Sequence, residues 1–154
     1  MIRKLSSDDV ECHKKELFNL MQIDFKSTYG VEAAPQLVES KIDALPNHIL
    51  NGRAIVYGLL DGDILSSFIW AYPVSTPTGE VMHIAYIAVG EKDRNKGIGS
   101  RLINAVEQDA ASCGLNTIEL IVSMNNTVAR SFYKKNQFEE ERLVLKKMVK
   151  AIEK

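Results

Sequence analysis

Cysteine is scarce. The two present, Cys12 and Cys113, lie in unrelated segments, at no spacing that would ligate a metal or frame a small disulfide scaffold. Both read as reduced, partly buried thiols, and no metal is expected. A Cys-His nucleophile built on Cys12 and His13 fails because adjacent residues on a helix do not face each other. An excess of basic charge is missing too: 19 Lys and Arg stand against 20 Asp and Glu, a net of -1. That argues against a general nucleic-acid binder, which needs a clustered positive surface. A small basic pocket for one phosphorylated ligand stays compatible. No apolar run approaches the roughly 20 residues a helix needs to cross a bilayer, so no membrane partner is expected. The opening MIRKLSSDDVE turns acidic where a signal peptide would carry its apolar stretch, and a cytoplasmic location is expected. With no repeats, low-complexity tracts or linkers, the 154 residues read as one domain over 1–154.

What is present is an ordinary globular balance, 45% hydrophobic and 25% charged, enough chain to bury roughly two thirds of its unfolded surface. Residues 2–5 read as a short strand. Ser6 or Ser7 then opens a helix whose apolar residues Val10, Leu17, Leu20 and Met21 share a face. Gly30 breaks that pattern. A second helix is expected over 34–45 through Leu37, Val38, Ile42 and Leu45, ended by Pro46. From Arg53 the period changes to strands, with Asp61-Gly62-Asp63 as a hairpin turn. Pro73, Pro77 and Gly79 mark a loop before VMHIAYIAV (81–89), whose continuous apolar run suits a strand covered on both faces. A helix follows with Ile98, Leu102, Ile103, Val106 and Ala110 at helical spacing and Gly114 as its C-terminal cap. TIELIV (117–122) predicts a strand, 126–135 a helix, and 141–149 a closing strand. Strands and helices in this order argue for a mixed α/β sheet.

The informative unit is the turn from strand 81–89 into the next helix, Arg94-Asn95-Lys96-Gly97-Ile98-Gly99. Glycines there let main-chain N–H groups approach an anion seated on the positive end of the helix. Arg94 and Lys96 add charge suited to a pyrophosphate. A P-loop would need Gly-Lys-Ser/Thr after four intervening residues, which is absent. A dinucleotide fingerprint starting at Gly97 fails at Leu102, where its third glycine belongs, and Glu119, at ribose-binding spacing, falls mid-strand. The glycines alone also fit an ordinary tight turn.

A second pattern narrows the choice. Arg94-x-x-Gly97-x-Gly99, followed downstream by Asn126-x-x-Ala129-x-x-x-Tyr133 and then Phe138, resembles the paired signatures of the GCN5-related N-acetyltransferase (GNAT) family. Gln137 departs from the pattern, standing where that family usually has glycine. The resemblance implies a mixed sheet of about six or seven strands with about four helices, splayed between strands 81–89 and 117–122 to admit acetyl-CoA. It implies that main-chain groups of Ile87, Ala88 and Val89 pair with the pantetheine arm. The amides of Asn95, Lys96, Gly97, Ile98, Gly99 and Ser100 would hold the pyrophosphate beside Arg94. Asn126 would bond the cofactor arm near Ala129, with Lys135 either reaching a phosphate or simply solvated. A homodimer through the C-terminal strand is a further implication that the sequence leaves open.

Moving an acetyl group from a thioester to an amine sets three tasks. An ammonium with a pKa near about 10 must lose a proton, an oxyanion needs a donor, and the departing thiolate needs a proton. By the resemblance Tyr133 serves the thiolate, though it also reads as a packing aromatic beside Phe132 and Phe138. An N–H of strand 81–89, Val89 first, would hold the oxyanion. His83, eleven positions before Arg94, is the candidate base or water-orienting group, with Glu80 and Tyr86 as neighbours that could serve. His83 also fits a satisfied core histidine. The acceptor is expected to be a small-molecule amine rather than a protein, with Asp24 and Glu32 to attract it and Phe25 and Tyr29 to line a pocket. The same four residues also fit a polar loop with buried aromatics. A non-catalytic acetyl-CoA-binding module is the rival reading.

Overall fold

The computed structural model describes residues 1–153. Five strands form one sheet in the order β1-β2-β3-β4-β5, and every pairing is antiparallel except β4 with β5. They are β1 (Ile2–Lys4), β2 (Ile55–Asp61), β3 (Ile64–Thr76), β4 (Gly79–Val89) and β5 (Ile118–Glu119). Five α-helices accompany them: α1 (Ser7–Cys12), α2 (Lys14–Tyr29), α3 (Pro35–Leu50), α4 (Ile98–Ser112) and α5 (Thr127–Lys135). The mixed sheet agrees with the sequence, but it has five strands rather than six or seven.

The missing strand is the expected one at 141–149. That stretch pairs with nothing among the described residues, and Leu143, Val144, Leu145, Met148 and Val149 are all exposed. Residues of both parities face water, so neither face of the segment is buried, and a strand without a neighbour has no ladder to hold it. β5 is likewise two residues long instead of six.

Helices begin and end where local chemistry dictates. Ser6 caps α1 by accepting from the Asp9 N–H at 3.1 Å while Asp9 accepts from the Ser6 N–H at 2.7 Å. The single helix expected after Ser6 breaks at His13 into α1 and α2, and α2 runs to Gly30, whose φ of 77° gives the left-handed cap. Pro46 does not end α3. The helix continues to Leu50 with Pro46 buried inside it, because packing of Val38, Ile42 and Leu45 outweighs the lost N–H. Leu37 is exposed rather than on that face, and both cysteines are exposed rather than partly buried. Pro73 sits in β3, not in a loop, beyond Ala71 where β2 stops pairing and no ladder bond on that side is lost.

The sheet separates two apolar layers. On one face α1, α2 and α3 bury Val10, Leu17, Met21 and Leu45 against Val56, Phe68 and Trp70. On the other, α4 buries Leu102, Ile103 and Val106 against Ile69, Met82 and Ile84, with Phe132, Tyr133 and Phe138 at the margin. Strand β4 is covered on both sides, as its continuous apolar run predicts. A bulge places Ala85 opposite no residue of β3, which reverses the faces beyond it. Met82 and Ile84 therefore face α4, while Tyr86 and Ala88 face α2 and Ile87 and Val89 face α4 again.

Candidate active site

Strands β4 and β5 pair only at Met82 with Ile118 and His83 with Glu119. Beyond these two pairs the strands part. The edge of β4 from Ile84 to Val89 is then without a strand partner on the side away from β3, the gap at which the splay is expected. The Gly90 N–H donates to the Ser66 carbonyl of β3 at 3.0 Å. Successive N–H groups of a strand alternate in direction, so the N–H groups of Val89 and Ile87 face the gap while that of Ala88 faces β3.

The Ile87 N–H has a partner, Asp24 Oδ1 of α2 at 3.4 Å. Asp24 is half-buried, and loss of surrounding water pushes its carboxyl up to about 6 against the opposing pull of the Ile87 N–H. Tyr133 of α5 is pushed up to about 12, first by its own burial and then by the charge of Asp24. Asp24 rises from the α2 layer and Tyr133 belongs to the opposite layer. The Asp24 charge reaches Tyr133 past the edge where β4 and β5 no longer pair. A phenol so raised is a neutral donor at pH 7. Tyr133 also packs, with Phe132 at 5.3 Å and Phe138 at 5.6 Å between ring centres.

On the α2 side, Tyr86, which feels the Asp24 charge, belongs to an aromatic group. Phe25 lies 5.6 Å from Tyr86 and 6.1 Å from Tyr29, and Trp70 lies 5.1 Å from Tyr86. Burial raises the Tyr86 phenol to about 12, helped by Asp24, Tyr29 and Tyr72. The Lys41 ammonium of α3 sits 5.9 Å above the Tyr86 ring, a distance at which a cation is attracted to an aromatic face. The Trp70 indole N–H is buried without a partner among the described residues. Glu32, by contrast, lies exposed and outside this group.

The loop after β4 turns through Glu91–Asp93 and places Asn95 and Gly97 at φ 61° and 73°. Gly97 is the N-cap of α4 and no side chain caps it, so the first N–H groups of the helix are open to an anion. Arg94, Asn95, Lys96 and Ser100 are exposed around that end, while Ile98 and Gly99 are buried. The two motif glycines serve different needs. Gly97 supplies the left-handed turn, whereas a Cβ on Gly99 would meet the Phe132 ring at 2.8 Å. Gly99 is the contact through which α5, carrying Tyr133, settles on α4.

Asn126 caps α5, its Oδ1 accepting from the Ala129 N–H at 3.1 Å, and its Nδ2 donates to the Ser27 carbonyl and hydroxyl of α2 at 3.1 and 2.9 Å. Ser123 donates to the Thr28 carbonyl at 2.7 Å. These bonds tie the segment after β5 to the end of α2. Both amide protons of Asn126 are thereby used. His83 lies elsewhere: its Nδ1 is 3.3 Å from Glu119 Oε1 and its ring 5.2 Å from Tyr72. Three residues, one of them the bulged Ala85, lie between it and Ile87, a span of roughly 10–13 Å at strand rise. Glu80 is exposed near the start of β4, and Lys135 is exposed at the end of α5. The signal that would have singled out Asp24 was its place mid-helix beside Phe25, on the buried side of α2.

An unpaired edge beside a parallel strand pair and a glycine turn feeding an uncapped helix give the sheet an open side next to an anion-ready helix start. A family model for the acetyltransferase (GNAT) family matches residues 14–138, and the chain belongs to that family. No curated protein sequence matches it. Among solved structures, it is similar to a possible acetyltransferase from Clostridium difficile 630, at 18% identity, 98% and 97% coverage of the two chains and a TM-score of 0.77. A predicted acetyltransferase with acetyl-CoA from Clostridium acetobutylicum shares 17% identity over 96% and 95%, with a TM-score of 0.73. An aminoglycoside acetyltransferase from an uncultured soil metagenomic sample, in complex with sisomicin, shares 17% over 97% and 96%, with a TM-score of 0.72. Likeness at this identity speaks for the fold.

Proposed function

We propose that the chain is an N-acetyltransferase that uses acetyl-CoA as cosubstrate, acts as one domain, and acetylates a primary amine of a small cationic molecule. The observation that carries this reading is the convergence at the gap of Asp24, the Ile87 N–H and Tyr133. The residues suit the cofactor. The uncapped start of α4 offers N–H groups from Asn95 to Ser100 for the pyrophosphate, with Arg94 and Lys96 beside them. The gap-facing edge of β4 through Ile87 and Val89 offers main-chain groups to the pantetheine arm in the manner of an added strand. Bound there, acetyl-CoA supplies an activated acyl carbon. Asn126 acts first as the tie between α5 and α2, leaving one lone pair of its Oδ1 for the arm.

The gap-facing N–H of β4 stabilises the oxyanion, and Tyr133 gives its phenolic proton to the departing sulfur. The rings of Tyr29 and Tyr86, with the Asp24 charge near Tyr86, suit an amine carried on an apolar or aromatic arm, since ring faces attract cations and Asp24 complements their charge. The sisomicin-bound relative also supports a small polycationic acceptor. His83, paired with Glu119 farther along β4, would orient water or the outer end of the acceptor.

Titration with acetyl-CoA, with NAD and ATP as controls, tests the cofactor; binding of acetyl-CoA alone is expected. Thiol release with spermidine, 2-phenylethylamine, sisomicin and a lysine peptide then ranks acceptors. Tyr133→Phe should lower kcat about 100-fold or more while leaving acetyl-CoA affinity nearly unchanged. A mutant that turns over like the parent removes Tyr133 from the acid role. Loss of acetyl-CoA binding in folded protein ends the acetyltransferase reading.

A further inference from the structure

We propose that Asp24 is the proton acceptor of the reaction: the carboxylate that here holds the Ile87 N–H is displaced when the thioester oxygen takes that N–H, and the freed carboxylate deprotonates the incoming ammonium. This rests on the acetyltransferase reading above and adds to it a base from α2, on the acceptor side of the gap.

The geometry favours Asp24 over other groups. Among the described residues it is the carboxylate bonded to the gap-facing edge of β4. Tyr86 feels its charge, and the Tyr86 ring face is where an ammonium would be drawn. His83 is about four strand residues away and held by Glu119. The groups that face Asp24 are the Ile87 N–H and Tyr86 from β4 and Tyr133 from α5, with Tyr29 of α2 and Lys41 of α3 reaching it through Tyr86. Burial already raises its carboxyl to about 6, which lets it remain charged at pH 7 yet accept a proton readily.

The steps balance. The ammonium passes one proton to the Asp24 carboxylate, and that proton later leaves to solvent. The neutral amine gives its lone pair to the thioester carbon, whose carbonyl electrons move to the oxygen held by the Ile87 N–H. The C–S bond breaks, Tyr133 protonates the sulfur, and the nitrogen's surplus proton restores Tyr133. The products are an N-acetylated amine, CoA thiol and one released proton.

A second consequence follows from the exchange at Ile87. The N–H bond favours the charged form of Asp24, so surrendering it to the thioester oxygen raises the carboxyl further. Acetyl-CoA binding should therefore take up protons near pH 6.5, and CoA, which lacks the acetyl oxygen, should take up fewer.

Calorimetric titrations with acetyl-CoA and with CoA, each in two buffers of different ionisation enthalpy, read that difference directly. Asp24→Asn keeps an oxygen that can accept from the Ile87 N–H and removes a poorly hydrated charge, so the variant should melt no lower than the parent. The expected result is a larger proton uptake with acetyl-CoA than with CoA in the parent, and no such difference in Asp24→Asn. With 2-phenylethylamine and spermidine as acceptor probes, Asp24→Asn should lower kcat/KM about 100-fold or more and erase the acidic limb, which in the parent lies above the free carboxyl's value. Asp24→Glu should recover part of both. An unchanged uptake difference in Asp24→Asn, its absence in the parent, or a variant with near-parental kcat/KM and the same acidic limb overturns the proposal. A parent that does not bind acetyl-CoA fails differently, because it removes the acetyltransferase reading itself.

Discussion

The chain is built unequally. From Ile2 to Val89 it is a four-stranded antiparallel ladder backed by three helices, with Val10, Leu17, Met21, Val38, Leu45, Val56 and Phe68 closed to solvent. From Ile118 onward it offers a two-residue strand, a nine-residue helix whose residues are at most partly buried, and an exposed tail. The first part is held by burial, which is non-directional and strong in aggregate. The second is held at points: Phe132 on Gly99, Asn126 on Ser27 and Ser123 on Thr28. Asp24 comes from the first part and Tyr133 from the second. The candidate site therefore lies on a seam between a densely buried part and a tethered one.

The sharpest way to break this contrast is to strike the densely buried part. Phe68 is fully buried in the layer under α2, and Phe68→Ala should cost about 3–5 kcal/mol through lost transfer energy and a residual cavity. Chemical denaturation should show a lower midpoint with an unchanged slope. A loss below about 1 kcal/mol would mean that the α1–α3 layer is as loosely held as α5, and the contrast would fail.

The tethered part should respond locally. Asn126→Ala removes the cap of α5 and both bonds to Ser27, for about 1–2 kcal/mol by capping data. Hydrogen exchange should quicken in α5 while amides of β3 and β4 keep their protection. Turnover should fall because Tyr133 rides on α5. Uniform quickening across the sheet would show that the two parts open together.

This inequality also explains what could be read in advance. Periodicity and caps mark elements that bury a face, so α4 appeared with Leu102, Ile103, Val106 and its Gly114 cap in place. The strand expected at 141–149 is absent, and its apolar composition says nothing about whether an edge is available to pair with it. The motif spacing at 94–99 marked the helix start but not why each glycine is there; only the packed structure sets Phe132 against Gly99. Asp24 was visible only as a charge near an acceptor pocket. Its bond to Ile87 joins residues 63 apart in sequence, a distance at which no local pattern operates.

Gln137 gives the smallest and most discriminating change. It holds φ at 67° immediately after α5, in the left-handed region where a Cβ is crowded and glycine is not. The turn survives because the N–H groups of Gln137 and Phe138 donate to the carbonyls of Lys134 and Tyr133 at 3.0 Å each. Phe138 is then returned against Tyr133. Gln137→Gly relieves the backbone strain of about 1–2 kcal/mol but adds freedom to the unfolded chain, worth about 0.4–1 kcal/mol in the other direction. A net gain of about 0.5–1 kcal/mol is expected. Because the turn lies in the tethered part, that gain should appear as slower exchange in α5 and a smaller rise in the global midpoint. A destabilised variant would mean that the Gln137 side chain contributes more to holding the end of α5 than its left-handed backbone costs.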